Sequence, residues 1–247
     1  MIDDTSICFI NCHLAAGQHH VRARNSDVAA MLDEKELFTP SLSKVEPVAY
    51  VGGGDGSMVL DHEIVFVSAC LPVCFTCLCL RISLQLNGDL NYRIDMRREN
   101  VISSIQSGDL STLLAHDQLL KETKHNRGFR LRDFTEPQIT FAPTYKYDRR
   151  TDTYDSSAKR RVPAWCDRVL FKVREKEGGR VEVLHYRRYE VNVSDHRPVS
   201  AAFRVRVKRV DIAKRERVKR DVEVMWSSKS VEVLADVRTW YAQLKVV

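Results

Sequence analysis

The run Asn87-Gly88-Asp89-Leu90-Asn91-Tyr92-Arg93 constrains this chain more than any other stretch, because it sets a carboxylate, a carboxamide and a guanidinium at positions i, i+2 and i+4. Alternate residues of an extended strand lie on one face, so a run that leaves a strand end in extended form brings these three side chains to a single point. Such a convergence suits a phosphoester site. By itself the run has a plainer reading, since Gly-Asp-x-Asn is also a common turn sequence.

Two further segments echo it: Val162-Pro163-Ala164-Trp165-Cys166-Asp167-Arg168 and Ser194-Asp195-His196-Arg197-Pro198-Val199-Ser200. A fourth, Asn11-Cys12-His13, follows the apolar stretch Ile7-Cys8-Phe9-Ile10. Each has its own plainer reading. Asp195 and His196 before Arg197-Pro198 suit an Asx-type turn, His13 a core histidine, and Trp165-Cys166 core packing. Taken together, in this order and each where a strand end would present it, the four motifs resemble the inositol polyphosphate 5-phosphatase family over about residues 7–203.

The resemblance implies an α/β fold, a four-layer α/β/β/α sandwich of the DNase I-like (endonuclease/exonuclease/phosphatase) type. It implies hydrolysis of the 5-phosphate monoester of 4,5-bisphosphorylated inositol lipids or soluble inositol polyphosphates, with Mg2+. Roles follow in turn. Asp89 takes the proton of the attacking water, a carboxylate within hydrogen-bond reach being a suitable acceptor. Asn91, His13, His196 and the magnesium ion meet the charge that builds on the phosphoryl oxygens. Asp167 orients His196 through its other ring nitrogen, Asp195 faces the metal and its water, and Arg93 belongs with the substrate-binding groups. Family members carry, ahead of the region matched here, a strand with a magnesium-binding Glu and an Asn near the scissile phosphate. This chain holds neither, so the expectation is the C-terminal half of a catalytic domain with little or no activity of its own.

Specificity is legible in a second set. Phe141-Ala142-Pro143-Thr144-Tyr145-Lys146-Tyr147-Asp148 matches a loop of the family in which Tyr145 and Lys146 fall on contacts to the inositol 4-phosphate, and Lys159 and Arg161 fall on two more. Three cations and a phenol suit a dianionic phosphate beside the one being cleaved. Outside that context Lys159-Arg160-Arg161 reads as a solvated charge run. A nuclease of the same fold has no need of the cluster, so an inositol phosphate is favoured and no nucleic acid partner is expected.

One segment interrupts the resemblance. Family members run from the strand at Asp61-His62-Glu63-Ile64-Val65-Phe66 directly into the Gly-Asp-Leu-Asn turn, and removing residues 67–85 joins the two. Those 19 residues are rich in Cys, Leu and Phe, open on Val-Ser and close on Gln, a pattern that splice-site codons produce. The expectation is a retained short intron, with Met1 an internal start. The rival reading is a hydrophobic loop, because the apolar part is shorter than the roughly 20 residues a bilayer span needs.

Composition bounds the rest. A chain of 247 residues, 44% of them hydrophobic, can bury a sizeable core in one or two domains. Residues 204–221 hold nine Lys or Arg against three Asp or Glu, which accounts for the whole net charge of +6. That segment suits either an anionic membrane surface or a solvated helix face. Seven cysteines, an odd count with no secretory signal, fit free thiols in a reducing compartment. Cys74 and Cys77 have zinc-knuckle spacing, but no second pair follows.

Periodicity and breakers predict a strand at 7–10, helices over 21–32, 97–106 and 110–124, and a loop at 38–57. Strands are predicted at 140–141, 168–173, 181–186 across a Gly178-Gly179 turn, and 199–207. The organisation expected is a partial catalytic domain at 1–207 and a basic extension at 208–247, in a cytoplasmic protein peripheral on membranes.

Overall fold

The computed structural model describes residues 2, 5–34, 58–68, 73–76, 81–86, 89–174 and 180–244, with backbone alone at 68, 73–76, 81–86 and 241–244. In chain order the elements are β1 (Ile7–Asn11), α1 (Val21–Asp33), β2 (Ile64–Ser68), β3 (Val73–Thr76), β4 (Arg81–Leu86), α2 (Arg98–Ser107), α3 (Leu110–Ala115), α4 (Gln118–His125), β5 (Leu170–Val173), β6 (Val181–Arg188), β7 (Val199–Val205) and α5 (Ile212–Leu244). They fall into two compact units, Met1–Val207 and Lys208–Val247. The second unit is α5, on which large apolar side chains such as Met225, Trp226 and Trp240 are exposed. Among the described residues no helix is long and apolar enough to cross a membrane.

The first unit carries a three-stranded sheet, ordered β1-β2-β5, and a four-stranded sheet, ordered β3-β4-β7-β6. Strand β2 explains the layering, because its side chains are buried on both faces and alternate with period two. Ile64 and Phe66 join Phe171 of β5 and Val199, Ala201, Phe203 and Val205 of β7 in a core between the sheets. Trp165 fills the same core, and Val101 of α2 and Leu113 of α3 close it. Val65 and Val67 face the other way, onto Val28 and Leu32 of α1 and Leu119 of α4. Helix, sheet and sheet are thus stacked on β2, as the expected α/β sandwich requires.

Local chemistry corrects three boundaries. The helix predicted over 110–124 is two helices, because Asp117 leaves the helical conformation and caps α4 with its side chain, accepting from the Leu120 amide at 3.0 Å. The strand predicted at 140–141 does not form, since the Phe141 carbonyl accepts from the Trp165 indole at 2.9 Å instead of from a ladder. The strand read from Asp61 begins at Ile64. Residues Val59–Asp61 make a 3-10 turn, closed by the Asp61 carboxylate on the Met58 amide at 3.2 Å. The loop at 38–57, the Gly178-Gly179 turn and the side chains of Cys70, Cys74, Cys77 and Cys79 lie outside the described residues.

The interruption at 67–85 leaves a numerical signature in the first sheet. Strands β1 and β2 pair in parallel at a constant separation of 57 residues, from Ile7 with Ile64 to Asn11 with Ser68. Two residues further on, His13 bridges Asp89 in the same parallel sense, a separation of 76. The two separations differ by 19, the length of the interruption. The ladder therefore resumes in the register it had, and the hairpin of β3 and β4 is an excursion from it. That excursion is paired: β4 runs antiparallel to β7 from Arg81 opposite Arg204 to Leu86 opposite Val199.

Candidate active site

Backbone rungs bring the four motifs to one place. Tyr145 is the middle rung, bridged to Ala164 on one side and His196 on the other. The Arg197 amide donates to the Thr144 carbonyl at 2.8 Å, the Leu90 amide to the Cys166 carbonyl at 2.8 Å, and the Leu14 amide to the Asp89 carbonyl at 3.0 Å. Between them opens a cleft of about 560 Å³ whose lining includes His13, Asp89, Asp167 and His196.

The run at 89–93 does not continue as an extended strand. Asn91 takes a left-handed conformation, φ 56°, and its amide donates to Asp89 Oδ1 at 2.7 Å. Asparagine tolerates that region better than most residues because its short polar side chain bonds locally. Asp89 consequently parts from the other two side chains. Asp89 faces the cleft, while Asn91, 1% exposed, donates through Nδ2 to the Leu14 carbonyl at 2.9 Å and accepts on its own carbonyl oxygen from Arg93 Nε at 3.0 Å. Arg93 Nη2 also donates to the Asn91 carboxamide oxygen. Its guanidinium lies 4.4 Å from the centre of the Tyr145 ring, 6% exposed. Arg93, expected among the substrate-binding groups, is buried and braces Asn91 and Tyr145.

At the cleft, Asp89 Oδ2 stands 3.8 Å from His196 Nε2 and 3.8 Å from His13 Nε2, beyond direct hydrogen bonding. It is therefore open to accept from a water. His196 Nδ1 lies 3.0 Å from Asp167 Oδ2, and the Thr144 hydroxyl donates to that same oxygen at 2.6 Å. Burial pushes the Asp89 carboxyl above its ordinary range and the neighbouring Asp167 carboxylate adds to the rise, with His196 offsetting part of it. Burial works against the His196 imidazolium, but the hydrogen bond and charge of Asp167 and the charges of Asp89 and Asp195 outweigh it and raise its pKa above 6.5. The site thus pairs a carboxylate of increased basicity with an imidazole that holds its proton more tightly than a free one.

The cations expected around the inositol ring share one loop. Lys146 Nζ donates to Asp195 Oδ2 at 2.5 Å, and Tyr145 is buried with its ring 4.6 Å from that of His196. Arg161 Nη1 lies 3.7 Å from Asp155 Oδ2, and Lys159 is exposed two residues before it. Asp195, the residue expected to face a metal, accepts from Lys146. Burial raises its carboxyl, and the hydrogen bond and charge of Lys146 outweigh that and hold it below its ordinary range. Among the described residues no group of three or more His, Cys, Asp or Glu is arranged to hold a metal ion. The described residues by themselves therefore do not complete a donor set for a magnesium ion. Sequence reasoning missed Thr144 and Asp155, two polar residues inside or beside quoted motifs whose partners lie 23 and 9 positions away, at Asp167 and Lys146.

The model of the endonuclease/exonuclease/phosphatase family 2 matches residues 1–73 and 81–202. A probable inositol polyphosphate 5-phosphatase of Schizosaccharomyces pombe is 47% identical over 211 residues, 85% of this chain and 16% of that protein. Human synaptojanin-1 is 32% identical over 259 residues, 95% of this chain and 14% of that protein. The chain thus spans about a sixth or less of the length of these relatives. Among solved structures, the inositol polyphosphate 5-phosphatase domain of SPsynaptojanin, in complex with inositol (1,4)-bisphosphate and calcium ion, superposes with a TM-score of 0.67 at 31% identity, covering 92% of this chain and 56% of that one. Four strand-end motifs meeting at one cleft, a family model that spans both sides of the interruption and a superposable 5-phosphatase domain lead to one conclusion: the chain belongs to the endonuclease/exonuclease/phosphatase family 2, among its inositol polyphosphate 5-phosphatases.

Proposed function

We propose that this site serves hydrolysis of the 5-phosphate of 4,5-bisphosphorylated inositol lipids or soluble inositol polyphosphates. One observation carries the reading: a carboxylate with a free oxygen stands between two imidazoles, on the scaffold that also bears Lys146 and Arg161. In this reading Asp89 Oδ2 takes the proton of the attacking water, and its raised pKa suits it to do so. His196, whose hold on its proton Asp167 strengthens, donates from Nε2 toward the phosphoryl oxygens, where negative charge builds. His13 closes the cleft from the other side, and Asn91 and Arg93 hold the turn that presents Asp89. Tyr145, Lys146, Lys159 and Arg161 answer to the 4-phosphate. Mg2+ is the proposed metal of the whole protein's reaction, held by donors other than those described here. The substrate class and the basic residues 204–221 support a cytoplasmic protein that works at membrane surfaces.

The test is phosphate release by a chimera in which the N-terminal half of the S. pombe relative's domain precedes this chain and residues 67–85 are removed. Lys146→Ala or Arg161→Ala should lower turnover of 4,5-bisphosphates roughly ten- to a hundredfold against a substrate lacking the 4-phosphate, from the 1.5 to 3 kcal/mol of a charge-assisted hydrogen bond. Equal losses on both substrates, or cleavage of abasic DNA in place of inositol phosphates, would overturn the reading.

A second reading, binding without turnover, is favoured by the missing set of metal donors among the described residues. It expects the 247-residue chain to bind inositol 1,4-bisphosphate while releasing no phosphate from a 4,5-bisphosphorylated lipid.

A further inference from the structure

Lys146 and Arg161 are 15 positions apart, and one residue, Asp155, bonds to both: its backbone amide to Lys146 and its carboxylate to Arg161. Asp155 is fully buried, and its amide donates to the Lys146 carbonyl at 2.8 Å. Its Oδ2 accepts from the Arg161 amide at 2.8 Å, and its Oδ1 from the Ser157 amide at 3.1 Å. The segment between is thereby folded into an arch that carries Lys159 at its crest and Arg161 at its end. Burial raises the Asp155 carboxyl, and the donors from Ser157 and Arg161 outweigh that and leave it below its ordinary value. It is therefore ionised at neutral pH.

A second tether reaches the arch from outside. Arg98, in the first turn of α2, donates through Nη2 to the Tyr154 carbonyl at 3.2 Å and to the Asp155 carbonyl at 2.9 Å. The opposite strand of the arch is fixed by Tyr147, whose ring stacks on that of Tyr154 at 4.2 Å and whose hydroxyl donates to the Tyr154 hydroxyl at 2.6 Å. Asp155 and Arg98 act on the backbone that spaces the cations, and Tyr147 on the side chain of Tyr154. None of them points a charge into the cleft.

We infer that Asp155 is a positioning residue for ring-phosphate selectivity: it sets the spacing of Lys146, Lys159 and Arg161 and touches no ligand itself. The inference rests on the inositol 4-phosphate reading given above. Its physical basis is that a preorganised set of donors binds a phosphate without first being ordered, whereas a loosened arch must be ordered at the moment of binding. A mere staple of the loop would affect all ligands alike. A spacing device affects only the ligand that uses the spacing.

The experiment is calorimetric titration of the 247-residue chain with two probes, inositol 1,4-bisphosphate and inositol 1-phosphate, before and after Asp155→Asn. The unaltered chain should prefer the bisphosphate. Asp155→Asn should cut that preference about tenfold, the size of one charge-assisted hydrogen bond, while affinity for the monophosphate stays as it was. A preference that survives Asp155→Asn overturns the inference and leaves the 4-phosphate reading standing, whereas an unaltered chain with no preference takes down both. If Asp155→Asn fails to fold, Arg98→Gln removes the other tether and must lower the same ratio, and an unchanged ratio there overturns the inference equally.

Discussion

Asp167 governs the ionisation of the cleft, because it is the one group that raises the pKa of both Asp89 and His196. Both folded values lie above the ordinary 3.8 and 6.5, so the folded state holds both protons more tightly than the unfolded one. The stability this contributes is complete below each ordinary value and is lost as pH rises through each raised one. The melting temperature should therefore fall from about pH 6.5 upward as His196 deprotonates, and Asp167→Asn should flatten that fall and bring the His196 titration, followed by NMR, back toward 6.5. A second residue-scale prediction concerns Arg168, buried with Asp117 at 3.0 Å and Glu136 at 2.5 Å. Asp117→Ala leaves that charge with Glu136 alone and also removes the cap of α4, so urea denaturation should show a loss of about 3 kcal/mol.

At the scale of elements, the 19-residue offset in the β1–β2 ladder makes the interruption separable from the strand it interrupts. Removing residues 67–85 sets Leu86 where Val67 stood, opposite Ile10 and Leu170, and delivers Asp89 to His13 in the same register. The cost falls on the second sheet, where β7 loses its β4 partner and exposes an unpaired edge. The deletion variant should keep the affinity of the chain for inositol 1,4-bisphosphate, measured by calorimetry, and should aggregate more readily, measured by light scattering on heating. Loss of binding on deletion would mean that the hairpin shapes the cleft.

For the whole molecule, proton transfer and phosphate binding fall to the described residues in the proposed reading, and the metal is left to other donors. Its described donors leave Asp195 with Lys146, at 2.5 Å, and gather no metal cluster. A phosphoryl transfer without that cation forgoes several kcal/mol of charge stabilisation. The 247-residue chain should therefore release little or no phosphate with Mg2+ present, and EDTA should leave its affinity for inositol 1,4-bisphosphate unchanged. Phosphate release at ordinary enzymatic rates would show that the donor set is completed in solution.

The sequence by itself determined which residues share the cleft. His13, Asp89, Asp167 and His196 each stand where a strand or its extension ends, and a sheet turns that order in the chain into adjacency in space. It also carried the 19-residue interruption, because a strand's period leaves a register that survives an excursion. What only the tertiary structure decided is which way each polar group turns. Asn91 and Arg93 were expected to converge with Asp89, but buried amides and carbonyls need partners, and the Leu14 carbonyl claimed Asn91 across 77 positions of chain. Asp195 faces Lys146 and Thr144 supports Asp167, each through a contact between segments that no local pattern relates. Strand patterns encode position along the chain, whereas hydrogen-bond pairing in a packed interior is settled by competition among all the groups that folding brings within reach.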